Sequence, residues 1–99
     1  MQLRRTPQTT SVLRELLEAP REWRHGYDIS RSSGLKSGTL YPILIRLTDS
    51  GLLETRWEPS ETGRPPRHMY RLTQTGMQIA RDYVSTAQIV PMNVAAAGA

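Results

Sequence analysis

Ser37-Gly38-Thr39-Leu40-Tyr41-Pro42-Ile43-Leu44-Ile45-Arg46-Leu47-Thr48-Asp49-Ser50-Gly51 runs straight into Leu52-Leu53-Glu54-Thr55-Arg56-Trp57-Glu58, and the change of period between the two pieces decides the fold. In the first piece Leu40, Ile43, Leu44 and Leu47 make an apolar stripe at helical spacing, so a helix is expected over 37–50. Ser37 is its expected N-cap and Gly51 its C-terminal stop, and Pro42 falls near the first turn, where a missing N–H costs little. In the second piece Leu53, Thr55 and Trp57 alternate with Glu54, Arg56 and Glu58, the period of a half-exposed strand. A Pro/Gly/Ser-rich tip over 59–66 leads to a second alternating run over 67–72, with His68, Tyr70 and Leu72 on one face. A helix followed by a long-tipped β-hairpin is the expectation.

Upstream, Val12, Leu13, Leu16 and Leu17 share a helix face, with Thr10 or Ser11 as N-cap and Pro20 as stop. A break over 21–26 precedes a short polar helix over 27–33, which Gly34 ends. Downstream, Thr73 can cap a last helix on which Met77, Ala80, Val84 and Ala87 form a seam, with Ile79 and Tyr83 beside it and Pro91 as its latest end. The expected fold is therefore mainly α with a small β-hairpin: a winged helix-turn-helix plus one C-terminal dimerisation helix. Its divisions are an N-terminal arm over 1–10, the winged domain over 11–72, the dimerisation helix over 73–90 and a tail over 91–99.

The chain has 99 residues, with 13 Lys+Arg against 9 Asp+Glu for a net charge of +4, and no Cys. Without Cys there are no disulfides, thiolate nucleophiles or Cys-ligated zinc. No apolar run of about 18 residues occurs, and Met1-Gln2-Leu3-Arg4-Arg5 leads into no apolar signal region, so a cytoplasmic protein with no membrane span is expected. A domain of this size buries only about two-thirds of its unfolded surface, which favours a partner subunit. An enzyme is disfavoured: His25 and His68 are the only histidines, and there is no Gly-rich phosphate loop, G-x-S-x-G motif or metal-ligand spacing. No cofactor is expected.

In a winged helix-turn-helix the third helix enters the DNA major groove and the wing reaches along the backbone toward the minor groove. Lys36, Ser37, Gly38, Thr39 and Tyr41 crowd the start of the third helix, where unpaired N–H groups and the positive dipole end favour phosphate. Each also has a plainer role. Ser37 caps, Gly38 relaxes the helix start, Tyr41 packs on the second helix as readily as on DNA, and Arg46 is a solvated charge or a phosphate contact. In the wing, Pro65 and Pro66 stiffen the tip behind Arg64, or simply belong to a soluble loop. Arg56 and Arg71 can pair across the strands with Glu58 or Glu54. Trp23 and Trp57 read as packing residues rather than a ligand platform.

Leu16-Leu17-Glu18-Ala19-Pro20, His25-Gly26-Tyr27-Asp28-Ile29, Ser37-Gly38-Thr39-Leu40-Tyr41-Pro42-Ile43-Leu44, Gly51-Leu52-Leu53, Gly63-Arg64-Pro65-Pro66-Arg67 and Tyr70-Arg71-Leu72-Thr73 with Gly76 together resemble the PadR family of bacterial transcriptional regulators, over about residues 11 to 84. The match is to the short subgroup with a single C-terminal helix. The resemblance implies a homodimeric repressor on a palindromic operator of double-stranded DNA. Ser37, Thr39 and Tyr41 of the third helix and Arg64 and Arg67 of the wing would meet the DNA. It also implies dimerisation of the last helix (Met77, Ala80, Tyr83, Val84, Ala87) against the partner's first helix (Leu13, Leu17), and release by a small aromatic effector. The last helix has room for only about 15 to 18 residues before Pro91 and carries no Trp, two departures from the family pattern. The rival reading is a winged-helix protein-interaction module without specific DNA binding, which would not need Lys36, Ser37, Thr39 and Tyr41 together.

Overall fold

The computed structural model describes residues 6–59 and 62–85. Helix α1 spans Pro7–Leu17, β1 Arg24–His25, α2 Gly26–Ser33, α3 Ser37–Asp49, β2 Leu53–Glu58 and β3 Arg67–Leu72. A last helix, α4, covers 74–85 of the described residues. The three strands form one antiparallel sheet in the order β1-β3-β2.

Helix α1 starts earlier than Thr10 or Ser11. Pro7 occupies the first turn, where its fixed φ suits a helix, and the Thr6 hydroxyl accepts from the Thr9 N–H at 3.1 Å as the N-cap. Thr9 and Thr10, expected in the arm, are helical and buried, so the arm is shorter than 1–10. What sequence periodicity missed here was a first turn made of small polar residues.

Strand β1 is the second departure. The break over 21–26 contains two residues that pair with β3, Arg24 opposite Tyr70 and His25 opposite Met69. The Arg24 guanidinium also donates to the Glu15 carbonyl at 3.1 Å, tying the sheet edge to the C-terminal end of α1. Helix α2 then begins at Gly26, one residue before the expected start.

Strands β2 and β3 pair from Leu53 opposite Leu72 to Glu58 opposite Arg67. That register puts Leu53, Thr55, Trp57, His68, Tyr70 and Leu72 on one face and Glu54, Arg56, Glu58, Arg67, Met69 and Arg71 on the other. Leu53, Tyr70 and Leu72 join Val12, Leu13, Leu16, Ile29, Leu40, Ile43, Leu44, Leu47, Leu52 and Ala80 in a single core. Each large side chain there contributes about 1.5–3 kcal/mol by leaving water.

Helix α4 docks where α3 turns into β2. Gly34 and Gly51 end α2 and α3 with φ of 76° and 78°, a conformation that favours glycine. The Thr73 N–H then donates to the Leu52 carbonyl at 3.0 Å, and the Thr73 hydroxyl accepts from the Gly76 N–H at 2.9 Å as the expected cap. Gly76 lies so close to Leu52 that a Cβ there would overlap the Leu52 carbonyl.

Candidate nucleic-acid interface

The turn between α2 and α3 is held by side chains that face backbone groups. The Ser30 hydroxyl donates to the Leu35 carbonyl at 2.5 Å, and the Ser33 hydroxyl accepts from the Leu35 N–H at 3.2 Å. The turn delivers Lys36 as the N-cap residue of α3, without a side-chain capping bond. Ser37, expected as the cap, is instead the first helical residue. Its hydroxyl is therefore not committed to the cap position of α3. Lys36 supplies the cap through its carbonyl, which accepts from the Leu40 N–H at 2.9 Å.

Lys36, Ser37, Gly38 and Thr39 are all exposed at this helix start, and no acidic residue lies in the first turn to offset the dipole. Tyr41 packs on the second helix and keeps part of its ring in solvent. It is 36% exposed, yet its ring lies over Gly26 so closely that a Cβ there would sit 2.6 Å from the phenol oxygen. The glycine at the start of α2 is thus what lets the two helices and Tyr41 approach. Arg46 is exposed and folds back along α3, its Nε donating to the Pro42 carbonyl at 3.4 Å. Between the start of α1 and this side of α3 runs an open groove of about 320 Å³, lined by Thr6, Gln8, Thr9, Gly38, Thr39, Pro42, Ile43 and Arg46.

The wing presents Arg64 and Arg67 as exposed residues near its tip. On the face toward α3, Trp57 stacks on His68 with ring centroids 4.3 Å apart, and His68 meets Tyr70 at 4.5 Å. Burial pushes the His68 pKa below 6.5, and burial with the nearby Tyr41 pushes Tyr70 above 10.0. The Tyr70 hydroxyl and His68 Nδ1 share a hydrogen bond of 3.0 Å. Trp57, 65% exposed, ends the ladder at the wing's outer part.

The opposite face of the sheet pairs the two acidic residues of β2. Glu54 takes Arg71 at 3.0 Å and Arg21 at 3.7 Å, and Glu58 takes Arg56 at 3.4 Å. The Arg71–Glu54 pair forms across the strands as expected, whereas Arg56 pairs with Glu58 along β2, since both lie on that strand. Trp23 lies under both guanidiniums, 4.5 Å from Arg56 and 4.3 Å from Arg71, as a packing residue of the hairpin. Arg67 stands opposite Glu58 on this same face, whereas the first turn of α3 holds no acidic residue.

The expected dimer residues divide into two groups. Leu13 and Ala80 are fully buried in the chain's own core and have no surface to offer a second copy, which corrects their assignment. Leu17, Met77, Tyr83 and Val84 are partly exposed along α1 and α4, while Ala87 lies outside the described residues. Ile45 was absent from the expected site but is 58% exposed on α3. Its signal was its angle: at about 100° per residue it falls away from the Leu40, Leu44 and Leu47 stripe. Among the described residues no group of three or more His, Asp or Glu could hold a metal ion. No helix among them is long and apolar enough to cross a membrane.

Three helices, a short strand pairing with the hairpin behind them, and an exposed helix start beside a basic wing define a winged helix-turn-helix. The transcriptional regulator PadR-like family matches over residues 13–82, and the chain belongs to that family. Its members are transcriptional regulators rather than enzymes. A PadR family transcriptional regulator from Eggerthella lenta DSM 2243 shares 28% identity, with 89% of this chain aligned to 81% of that one at a TM-score of 0.71. The protein smu.1704 from Streptococcus mutans UA159 is 27% identical, with 95% and 90% of the two chains covered and a TM-score of 0.71. The PcaV transcriptional regulator from Streptomyces coelicolor, solved in complex with its natural ligand, is 26% identical at a TM-score of 0.70, and this chain spans 57% of its length. No curated protein sequence matches this one significantly.

Proposed function

We propose that this transcriptional regulator binds a specific palindromic operator as a homodimer and represses the adjacent gene. The observation that carries the reading is the start of α3, where Lys36, Ser37, Gly38, Thr39 and Tyr41 gather on a helix end with no acidic residue in its first turn. In this reading α3 enters the major groove with Ser37, Thr39 and Tyr41 toward base edges and Lys36 and Arg46 toward phosphates. Arg64 and Arg67 extend the contact along the backbone from the wing. The functional divisions are the winged domain up to residue 72 and a dimerisation helix from 73, with Leu17, Met77, Tyr83 and Val84 forming the seam between copies.

Release by a small aromatic effector completes the proposal. Support comes from PcaV, a structural neighbour that binds a natural ligand, and from Tyr83, an aromatic ring on the partly exposed side of α4. Selection of bound fragments from the host genome, followed by footprinting, tests the reading. It predicts one enriched inverted repeat protected on both half-sites. Enrichment without a shared sequence would reject it in favour of a protein-interaction module.

A further inference from the structure

We propose that Ile45 reads sequence by packing on a thymine 5-methyl group in the major groove. The inference rests on α3 being the DNA-reading helix and adds the base feature that this helix recognises. Leu40, Ile43, Leu44 and Leu47 point inward and are 6% exposed or less, whereas Ile45 is 58% exposed in the middle of the same helix. At about 100° per residue, Gly38, Pro42, Ile45 and Asp49 form the line opposite the buried stripe. Ile45 therefore stands at the centre of the outward face and not at its margin.

The composition of that line selects the ligand chemistry. It holds none of Arg, Lys, Asn or Gln, the side chains that fork onto guanine or adenine edges. Donors sit instead on its flanks: Ser37 and Tyr41 on one side, Thr39 and Arg46 on the other, with Lys36 at the helix start. A donor-rich rim that carries Lys36 and Arg46, around a line whose one acid is Asp49 at the last position of the helix, complements a polyanion and does not complement a second apolar protein surface. Of the groups that line a major groove, the thymine methyl is the one an aliphatic side chain discriminates. Gly38 adds no side chain to the line, and there is open space where its Cβ would be, so the groove floor can approach the start of α3 closely.

Deoxyuridine scanning tests this directly, because replacing thymine with uracil removes only the methyl. On the fragment selected by the wild-type chain, one thymine per half-site is expected at which uracil weakens binding about fourfold, the cost of leaving one methyl-sized group unburied. Ile45→Ala removes both contacts of the dimer, so it should lose about sixteenfold on the thymine operator, as much as uracil at both half-sites costs the wild type, and show no further loss on the operator with uracil in both half-sites. Specific binding that ignores uracil everywhere, or Ile45→Ala that keeps full uracil sensitivity, would overturn the role of Ile45 alone. A changed sedimentation coefficient for Ile45→Ala would assign the side chain to a protein interface and likewise overturn it. Absence of any specifically bound fragment would remove the DNA reading itself, and this inference with it.

Discussion

Gly76→Ala and Gly38→Ala are the same chemical change in two helices of one chain, and they should move stability in opposite directions. In a helix, alanine normally gains up to about 1 kcal/mol over glycine through backbone entropy and propensity. At Gly38 there is open space where a Cβ would go, so a gain of about 0.5 kcal/mol is expected near this helix start. At Gly76 a Cβ would overlap the Leu52 carbonyl, a backbone atom that cannot rotate aside. Forcing a methyl into a filled space costs about 1–3 kcal/mol. Displacing α4 would also weaken the 3.0 Å bond from the Thr73 N–H to Leu52, worth about 1 kcal/mol. Set against the propensity gain of about 1 kcal/mol, the net loss is about 2 kcal/mol, or a Tm lower by about 8–16 °C for a domain of this size. Thermal and urea unfolding at one fixed chain concentration measure both variants. A Gly76→Ala chain as stable as wild type would refute the close docking of α4 on the α3–β2 junction.

Thr39→Ala combined with Tyr41→Ala should abolish operator preference while circular dichroism stays helical. An unchanged footprint would remove α3 as the reading helix. Val84→Glu puts a charge into the apolar seam proposed between copies, so sedimentation should report a monomer. A variant that still sediments as a dimer would move the interface elsewhere, and a monomeric wild type would remove the premise. Burial lowers the His68 pKa below 6.5, so the folded chain binds its proton less readily than the unfolded chain. Stability from this group is complete above pH 6.5 and is lost as pH falls through 6.5 toward the lower folded pKa. His68→Gln should flatten that part of the stability profile between pH 7 and 5, and an unchanged slope would show that His68 does not carry it.

The parts of the fold legible in the sequence are those in which one pattern persists over several turns or strand residues. Helix α3 and the β2–β3 hairpin are of this kind: the stripe of Leu40, Ile43, Leu44 and Leu47 is buried, and the alternating face of Leu53, Tyr70 and Leu72 closes over it. Strand β1 was illegible because two residues have no period, and Arg24 and His25 are a strand only through their partners Tyr70 and Met69. The start of α1 was hidden because Thr6, Pro7, Gln8, Thr9 and Thr10 carry no apolar signal, although Thr9 and Thr10 are buried. Lys36, Ser37, Thr39 and Tyr41 were legible as a cluster because they fall within six successive positions of the chain. The Trp57–His68–Tyr70 ladder and the placement of Trp23 under Arg56 and Arg71 depend on strand register, which unites residues far apart in sequence. Ile45 was readable in principle from its helical angle, but its exposure becomes plain only once the buried side of α3 is known.

Specific DNA binding by α3 and the wing is tested most directly by the salt dependence of affinity for a selected operator fragment. A dimer that neutralises about six to ten phosphates should lose affinity with a slope of log K against log salt of about −5 to −9. Replacing Arg64 or Lys36 with alanine should make that slope shallower by about one unit for each phosphate contact removed, so by up to about two units in a dimer. A flat salt response in the wild-type chain would contradict the proposed interface.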